Sequence, residues 1–327
     1  MPQNYDRSFR GSVSMRQALA SSLNVPAVRT LELVGYVPFH ERLRALGFAT
    51  LDRSAEDYGY GLALGGGDVT LVDLTNAYRA LANGGRYSPV RMRADAPAVE
   101  ARAVVDERAA FIVGDILADP AARAGTFGLA SALATPYAAS VKTGTSKDMR
   151  DNWTIGYTRR YTVGVWVGNF SGEAMHDVTG VTGAGPVWRD VMDYAMQGVP
   201  PAPAHAPDGV VRVAARFGGL EPDRDEWFIA GTQVERVVRV AAAAGRAHLE
   251  SPADGAIFAL DPDIPASRQR IVLRASGAGE GDRFVLPDGR AVEADEPYLW
   301  DPARGRQSIT LVAGDGRVLD RASIDVR

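Results

Sequence analysis

SVKTGTSKDMRDNWTIGYTRRYTVGVWVGN, residues 140–169, is where the period of this chain changes. Before about Tyr137 the apolar residues recur with a helical period; from there they alternate. Residues 139–145, 153–157 and 161–168 read as three strands, the last two joined by a tight turn at Thr158-Arg159-Arg160. On the first strand Lys142 and Gly144 share one face, and Thr143 and Thr145 share the other. Gly144 leaves the edge of that strand open, so an extended peptide can lie against the backbone and pair with it. Two hydroxyls and one ammonium beside that edge would hold a substrate carboxylate. Only two of the 36 basic residues are lysine, Lys142 and Lys147. Arginine is a wide, permanently charged fork, whereas lysine is a compact charge whose pKa shifts readily. A position that keeps lysine in so arginine-rich a chain is therefore a candidate for chemistry. Lys147 reads as a solvated charge at the strand end.

The elements around this meander follow from local signals. Ser14-Met15-Arg16-Gln17 fits a capping box, with Met15, Leu19 and Leu23 as one apolar stripe. Pro26 should end that helix near Ser22-Leu23-Asn24. A second helix is expected over 30–46, stopped by Gly47. In GYGLALGGGDVTLVDLTNAYRALANGG, residues 59–85, a glycine-rich loop leads to Thr70 as N-cap, then to a helix over 71–82. Residues 107–118 read as another helix, spaced by Ala110, Val113, Gly114 and Leu117. After the meander, Pro186 opens a final helix with Val187, Val191 and Ala195 spaced by four. Helices, an antiparallel sheet and a covering helix make an α+β layout.

The character changes after about Gly198. PPAPAHAPDG, residues 200–209, is a stiff proline-rich linker. Short alternating runs at 270–274, 282–286 and 308–312, separated by Pro-Asp-Gly and Gly-Asp-Gly turns, suggest a small β-sandwich. The expected division is 1–198, a linker with connecting strands over 199–245, and a β-sandwich over 246–327.

Composition narrows the function. A net charge of −4 and a pI of about 5.7 give no reason to expect nucleic acid or an anionic membrane as partner. The absence of cysteine excludes disulfides, thiol nucleophiles and thiolate metal sites. No run approaches the length of apolar sequence that spans a bilayer. The opening MPQNYDRSFRGS has no apolar core of a signal peptide. It runs straight into a helix, as the middle of a longer chain would. Gly65-Gly66-Gly67 lacks the lysine of a phosphate loop. The four histidines (His40, His176, His205, His248) are scattered, so no metal is implied, and no cofactor either.

Two short motifs remain. Ser22-x-Asn24, at a helix end, offers a hydroxyl for proton relay and an amide to orient a carbonyl. Lys142-Thr143-Gly144-Thr145 offers the strand just described. In this order and separation they resemble the second and third motifs of the penicillin-recognising serine acyltransferases. The stretches NYDRSFRGSVSMRQALASSLNVPAV, LALGGGDVTLVDLTNAYRALANGG and KTGTSKDMRDNWTIGYTRRYTVGVWVGN resemble the transpeptidase domain of class A, bifunctional penicillin-binding proteins. The likeness runs over residues 1–198, and the 246–327 module is similar to the C-terminal module of the 1C type.

The resemblance implies a partial transpeptidase domain of serine β-lactamase-like fold. It implies a D,D-transpeptidase that cross-links peptidoglycan stem peptides through an acyl-enzyme, binding D-Ala-D-Ala termini and β-lactams. Ser22 would shuttle protons, Asn24 would position the substrate amide, and Lys142 would support the Ser22 hydroxyl. Thr143, Gly144 and Thr145 would bind the substrate, the two threonines through its terminal carboxylate. The Thr145 N–H would be half of an oxyanion hole. The family's upstream glycosyltransferase domain and membrane anchor imply a periplasmic setting at the inner membrane, and the C-terminal module implies contacts with cell-wall synthesis proteins. One departure stands out: the residues three before the lysines are Ala139 and Gly144, so the nucleophile motif Ser-x-x-Lys occurs nowhere. The expectation is a C-terminal portion of a longer protein that does not acylate as written. A non-catalytic peptidoglycan- or partner-binding protein is the alternative. A serine β-lactamase-like hydrolase would need a glutamate-bearing loop before Lys142, which is not visible.

Overall fold

The computed structural model describes residues 4, 11–128, 130–200, 202, 204–237, 247–258, 270–279 and 281–327. Most of the polar opening, two prolines of the linker and the end of the expected connecting segment lie outside the described residues. The chain forms two compact units, Met1–Val238 and Arg239–Arg327.

In the first unit, helix α1 (Met15–Ala20) is capped by Ser14, whose hydroxyl accepts the Gln17 N–H at 3.1 Å. The expected box is one-sided. The Ser14 N–H donates to Glu221 at 2.6 Å, and the Gln17 amide donates to Ser21 Oγ at 2.5 Å. The expected stripe holds at Leu19, which packs against the core, and at Leu23, which is buried, but Met15 is 65% exposed while Arg16 and Ala20 are buried. A guanidinium goes inside only where partners wait for it, and hydropathy does not register those partners.

Two helices, α2 (Asn24–Val34) and α3 (Tyr36–Ala45), replace the single one expected over 30–46. Pro26 sits in the first turn of α2, where its missing N–H is no loss. Gly35, at φ +86°, breaks the run before α3. After α4 (Ala55–Tyr58) and a 3₁₀ turn (Gly59–Leu64), α5 (Leu71–Ala82) starts on Thr70, which accepts the Asp73 N–H at 3.0 Å. Strands β1 (Arg86–Tyr87) and β2 (Arg102–Ala103) form a short ribbon before α6 (Glu107–Ala118). Helix α7 (Pro120–Phe127) was not foreseen, although Asp119 and Pro120 mark its start.

The meander forms as read: β3 (Ser140–Thr145), β4 (Asp151–Tyr157) and β5 (Thr162–Gly168), antiparallel, with β3 at the edge. Lys142 faces Ile155 and Gly164 across the sheet, and Gly144 faces Trp153 and Trp166. This face meets α5 and α6; the Ser140 hydroxyl donates to the Gly114 carbonyl at 2.7 Å. The other face is covered by α8 (Gly185–Ala195) through Trp188 and Met192. The period of α8 matches the sequence reading, but its phase does not: Val187 and Val191 face outward at 47% and 46% exposure. Trp188 and Met192 share the same spacing and remove more apolar area from water.

A hairpin of β6 (Val210–Ala215) and β7 (Arg224–Ile229) lies in the segment whose composition reads as connecting. It packs in the first unit, with Val210, Trp227 and Ile229 against Ala20, Ile112 and Ile116.

The second unit is a β-sandwich. One sheet has the order β13-β10-β8 and the other β12-β11-β14-β15-β9, where β8 is His248–Ser251, β9 Ile257–Phe258, β10 Ile271–Ser276, β11 Arg283–Val285, β12 Ala291–Glu293, β13 Tyr298–Trp300, β14 Gly305–Val312 and β15 Val318–Val326. Leu273 and Trp300 from one sheet meet Phe284, Ile309, Leu311 and Ile324 from the other.

Gly156 tests how the site's sheet is held. A Cβ there would lie 2.5 Å from the Trp188 ring and 2.9 Å from the Ser140 carbonyl oxygen. Gly156→Ala is expected to destabilise the first unit by about 1–3 kcal/mol in denaturant unfolding, as overpacking does.

Candidate functional site

The site begins with the way α1 ends. Leu23 N–H donates to the Ala18 carbonyl at 2.9 Å and Ser22 N–H to the Leu19 carbonyl at 3.1 Å. This is a Schellman closure, and its left-handed position is usually glycine. Here it is Ser22, at φ +56°. A side chain at that φ costs about 1 kcal/mol or more. The cost secures a hydroxyl aimed from the α1–α2 junction, and Asn24 follows as the first residue of α2.

Lys142 comes to meet it from β3, 120 positions along the chain. Its ammonium donates to Ser22 Oγ at 2.5 Å and to the Thr143 carbonyl at 2.7 Å. Burial pushes the pKa of this lysine down to about 8. Two of its three N–H groups are thereby engaged, and the group keeps its proton at neutral pH but yields it far more readily than an ordinary lysine.

The rest of the motif lies along an edge strand. Ser146 N–H donates to the Asp151 carbonyl at 2.9 Å, pointing inward to β4. By the alternation of an antiparallel ladder, Lys142 and Gly144 also turn their backbone groups inward, and Thr143 and Thr145 turn theirs to the open edge. The Thr145 N–H thus faces the space where an added strand would lie. Thr145 Oγ1 accepts the Gly180 N–H at 3.0 Å, which leaves its own O–H to donate outward. A Cβ on Gly144 would meet only Trp153, at 3.7 Å, an ordinary contact. Packing does not demand glycine there.

A cleft of about 360 Å³ opens beside this strand. Lys142, Gly144 and Trp153 form one wall, Gly65, Gly67, Asp68 and Val69 another, and Phe39 and Phe48 close it with apolar surface. The glycine-rich loop is thus a wall of the cleft. Among the described residues no group of three or more histidines and carboxylates is placed to hold a metal ion. Lys147 is exposed.

The structure therefore brings Ser22 and Lys142 into contact, sets Asn24 two residues on at the start of α2, and lines Thr143, Gly144 and Thr145 along the same strand. Sequence reasoning missed Trp153 and the apolar walls. Trp153 was within reach, because a hairpin closed at residues 146–151 puts it opposite Gly144. The walls come from several separate segments, and no local pattern announces them.

Comparison with known proteins fits this geometry. Residues 2–193 match the family described as penicillin binding protein transpeptidase domain, and residues 236–324 match the penicillin-binding protein C-terminus family. Penicillin-binding protein 1C of Escherichia coli (strain K12) is 36% identical over 190 residues, which are 58% of this chain and 24% of that protein. Penicillin-binding protein 1A of Neisseria lactamica is 34% identical over 226 residues, 64% of this chain and 28% of that protein. The chain thus spans about a quarter of the length of these relatives. In fold it is similar to penicillin-binding protein 1A from Haemophilus influenzae, with a TM-score of 0.62 at 21% identity, over 72% of this chain and 43% of that one.

Two outcomes follow from the contact between Ser22 and Lys142. Because the native lysine is lowered to about 8 from an ordinary 10.5, the unfolded chain holds more protons between those pH values. This group therefore makes stability rise with pH across that window, and Lys142→Met should flatten that part of a stability–pH profile. Ser22→Gly and Ser22→Ala both delete the hydroxyl, but only alanine keeps the strain. The glycine variant should be more stable by about 1 kcal/mol in chemical denaturation.

Proposed function

The chain belongs to the penicillin-binding protein transpeptidase family, and on that premise we propose that its first unit binds the D-Ala-D-Ala end of peptidoglycan stem peptides. The observation that carries this reading is the Lys142–Ser22 contact at 2.5 Å beside an open edge strand. The stem peptide pairs with β3 as an added strand. Its terminal carboxylate takes hydrogen bonds from the Thr143 and Thr145 hydroxyls and lies close to the Lys142 charge. Asn24 orients the penultimate amide, and the Thr145 N–H donates to the carbonyl oxygen that an attack would turn into an oxyanion. A lysine poised near pH 8 suits Ser22 to pass a proton to a departing amine. β-Lactams fit the same strand because they present a carboxylate and an amide at a similar separation.

In the cross-linking reaction of this family a serine attacks the carbonyl, expels D-alanine and hands the acyl group to a second stem. We assign no residue of these 327 to that attack, since Ser-x-x-Lys is not among them. The work would be done in the periplasm, where stem peptides are. The same absence favours a second reading, in which the half-site holds stems without chemistry.

One experiment addresses both. Isotope-labelled protein titrated with a peptide ending in D-Ala-D-Ala should show amide shifts at Ser22 and Lys142–Thr145, and none with the L-Ala-L-Ala ending. Gly144→Ala should fold as the parent does and lose the shifts, because its methyl group enters the cleft beside the strand and not the core. On a denaturing gel the 327-residue chain should carry no covalent band after fluorescent penicillin. Absence of peptide shifts would overturn the proposal, and a stoichiometric penicillin band would overturn the assignment of no nucleophile.

A further inference from the structure

Helix α1 has six residues, too few to be stable by itself, yet Ser22 hangs from its end. The helix is held partly by α6 and α7, about 100 positions downstream, and partly by residues more than 200 positions downstream. Arg16 is 7% exposed, and its guanidinium is surrounded by three carboxylates. It donates to Glu226 from Nε at 2.9 Å and from Nη2 at 2.8 Å, to Asp115 at 2.7 Å and to Asp119 at 3.1 Å. Burial disfavours its charge, but the hydrogen bonds it donates to Glu226 and Asp115 outweigh that and hold it more firmly protonated than a free arginine. At the other end of the same turn, Glu221 accepts from Ser14 N–H at 2.6 Å and from Ser14 Oγ at 2.8 Å. Arg224 ties the two acids together, donating to Glu226 at 2.6 Å and to Glu221 at 2.9 Å. Behind this layer Trp227 of β7 stacks edge-on against Phe111 of α6, centroids 5.3 Å apart.

Stability does not explain such an arrangement. A buried ionic cluster gains little over well-packed apolar residues, because each charge first gives up its water. What it does supply is a fixed position. Ser22 lies six positions on from Arg16, roughly 9 Å along the α1 axis, so a tilt of about 6° at the Arg16 end moves Ser22 by about 1 Å. That is the margin between a hydrogen bond at 2.5 Å and none.

We propose that the β6–β7 hairpin is a clamp on α1 that sets the distance between Ser22 and Lys142, with Arg16, Glu226 and Glu221 as positioning residues. The inference rests on reading Ser22 and Lys142 as parts of one site. It gives the segment after α8 a part in that site, although none of its residues reaches the cleft.

The test exploits the lysine count. In protein carrying ¹³Cε-lysine only two side-chain signals exist, Lys142 and Lys147, and Lys142→Arg assigns them. Each is followed by NMR against pH in the wild type, Glu226→Gln and Glu221→Gln, with melting temperature recorded beside it. In the wild type the Lys142 midpoint should lie near 8. In both variants it should climb towards the ordinary 10.5, as Ser22 moves off and water reaches the ammonium, while the Lys147 signal keeps its wild-type course. A role in stability alone would lower the melting temperature and leave the Lys142 midpoint where it was. If Glu226→Gln does not fold, Glu221→Gln carries the same readout, since it leaves all three partners of Arg16 in place. A lowered wild-type midpoint that stays put in a folded variant would overturn the clamp and spare the proposed function. A wild-type midpoint at 10.5 would instead show the Lys142 ammonium in water and not buried against Ser22, and would overturn both readings.

Discussion

The ammonium of Lys142, largely stripped of water and 2.5 Å from the hydroxyl of Ser22, is the contact on which the first unit depends. Each partner is held at a cost. The lysine gives up hydration, which brings its pKa to about 8. The serine occupies a left-handed position where glycine would rest more easily. An arginine in the place of Lys142 would bring a wider, permanently charged group that could neither enter the same space nor release its proton.

Around that contact the fold separates what must be rigid from what must stay open. The meander is backed on one face by Trp188 and Met192 and on the other by α5 and α6, so β3 cannot shift without moving a packed layer. Its outer edge has no strand beside it among the described residues. A strand in that situation offers three kinds of chemistry at once: an ammonium from one face, hydroxyls from the other, and backbone groups along the edge. Gly144 keeps the middle of it bare. Trp153, directly across, gives the adjoining cleft a firm wall.

Much of this was legible in advance, and the misses share a cause. Helices α5 and α6 have the bounds read from the sequence, α5 because Thr70 and the glycines at 84 and 85 act within a turn of themselves, and α6 from its spacing. The motif residues Ser22 and Lys142 were named from their type and order. Phase was harder. In α1 and α8 the apolar residues that stood out, Met15, Val187 and Val191, turn outward, while Arg16, Trp188 and Met192 turn in. Spacing by four fits either face of a helix, and only the neighbour decides which one is covered. Arg16 is the sharpest case, since nothing nearby in sequence says that Asp115, Asp119 and Glu226 converge on it.

The sequence alone marked α5, α6, α8 and the three-stranded meander in their order, the change from helical to strand period near Tyr137, and candidate residues for the chemistry. These follow from backbone preferences and side-chain types that act over a few positions. Tertiary structure decided which faces are buried, that 24–45 is two helices, that the hairpin at 210–229 belongs against α1, and that Lys142 meets Ser22 across 120 residues. Such matters are fixed by the joint packing of distant segments, where burial, charge pairing and close approach are satisfied together or not at all.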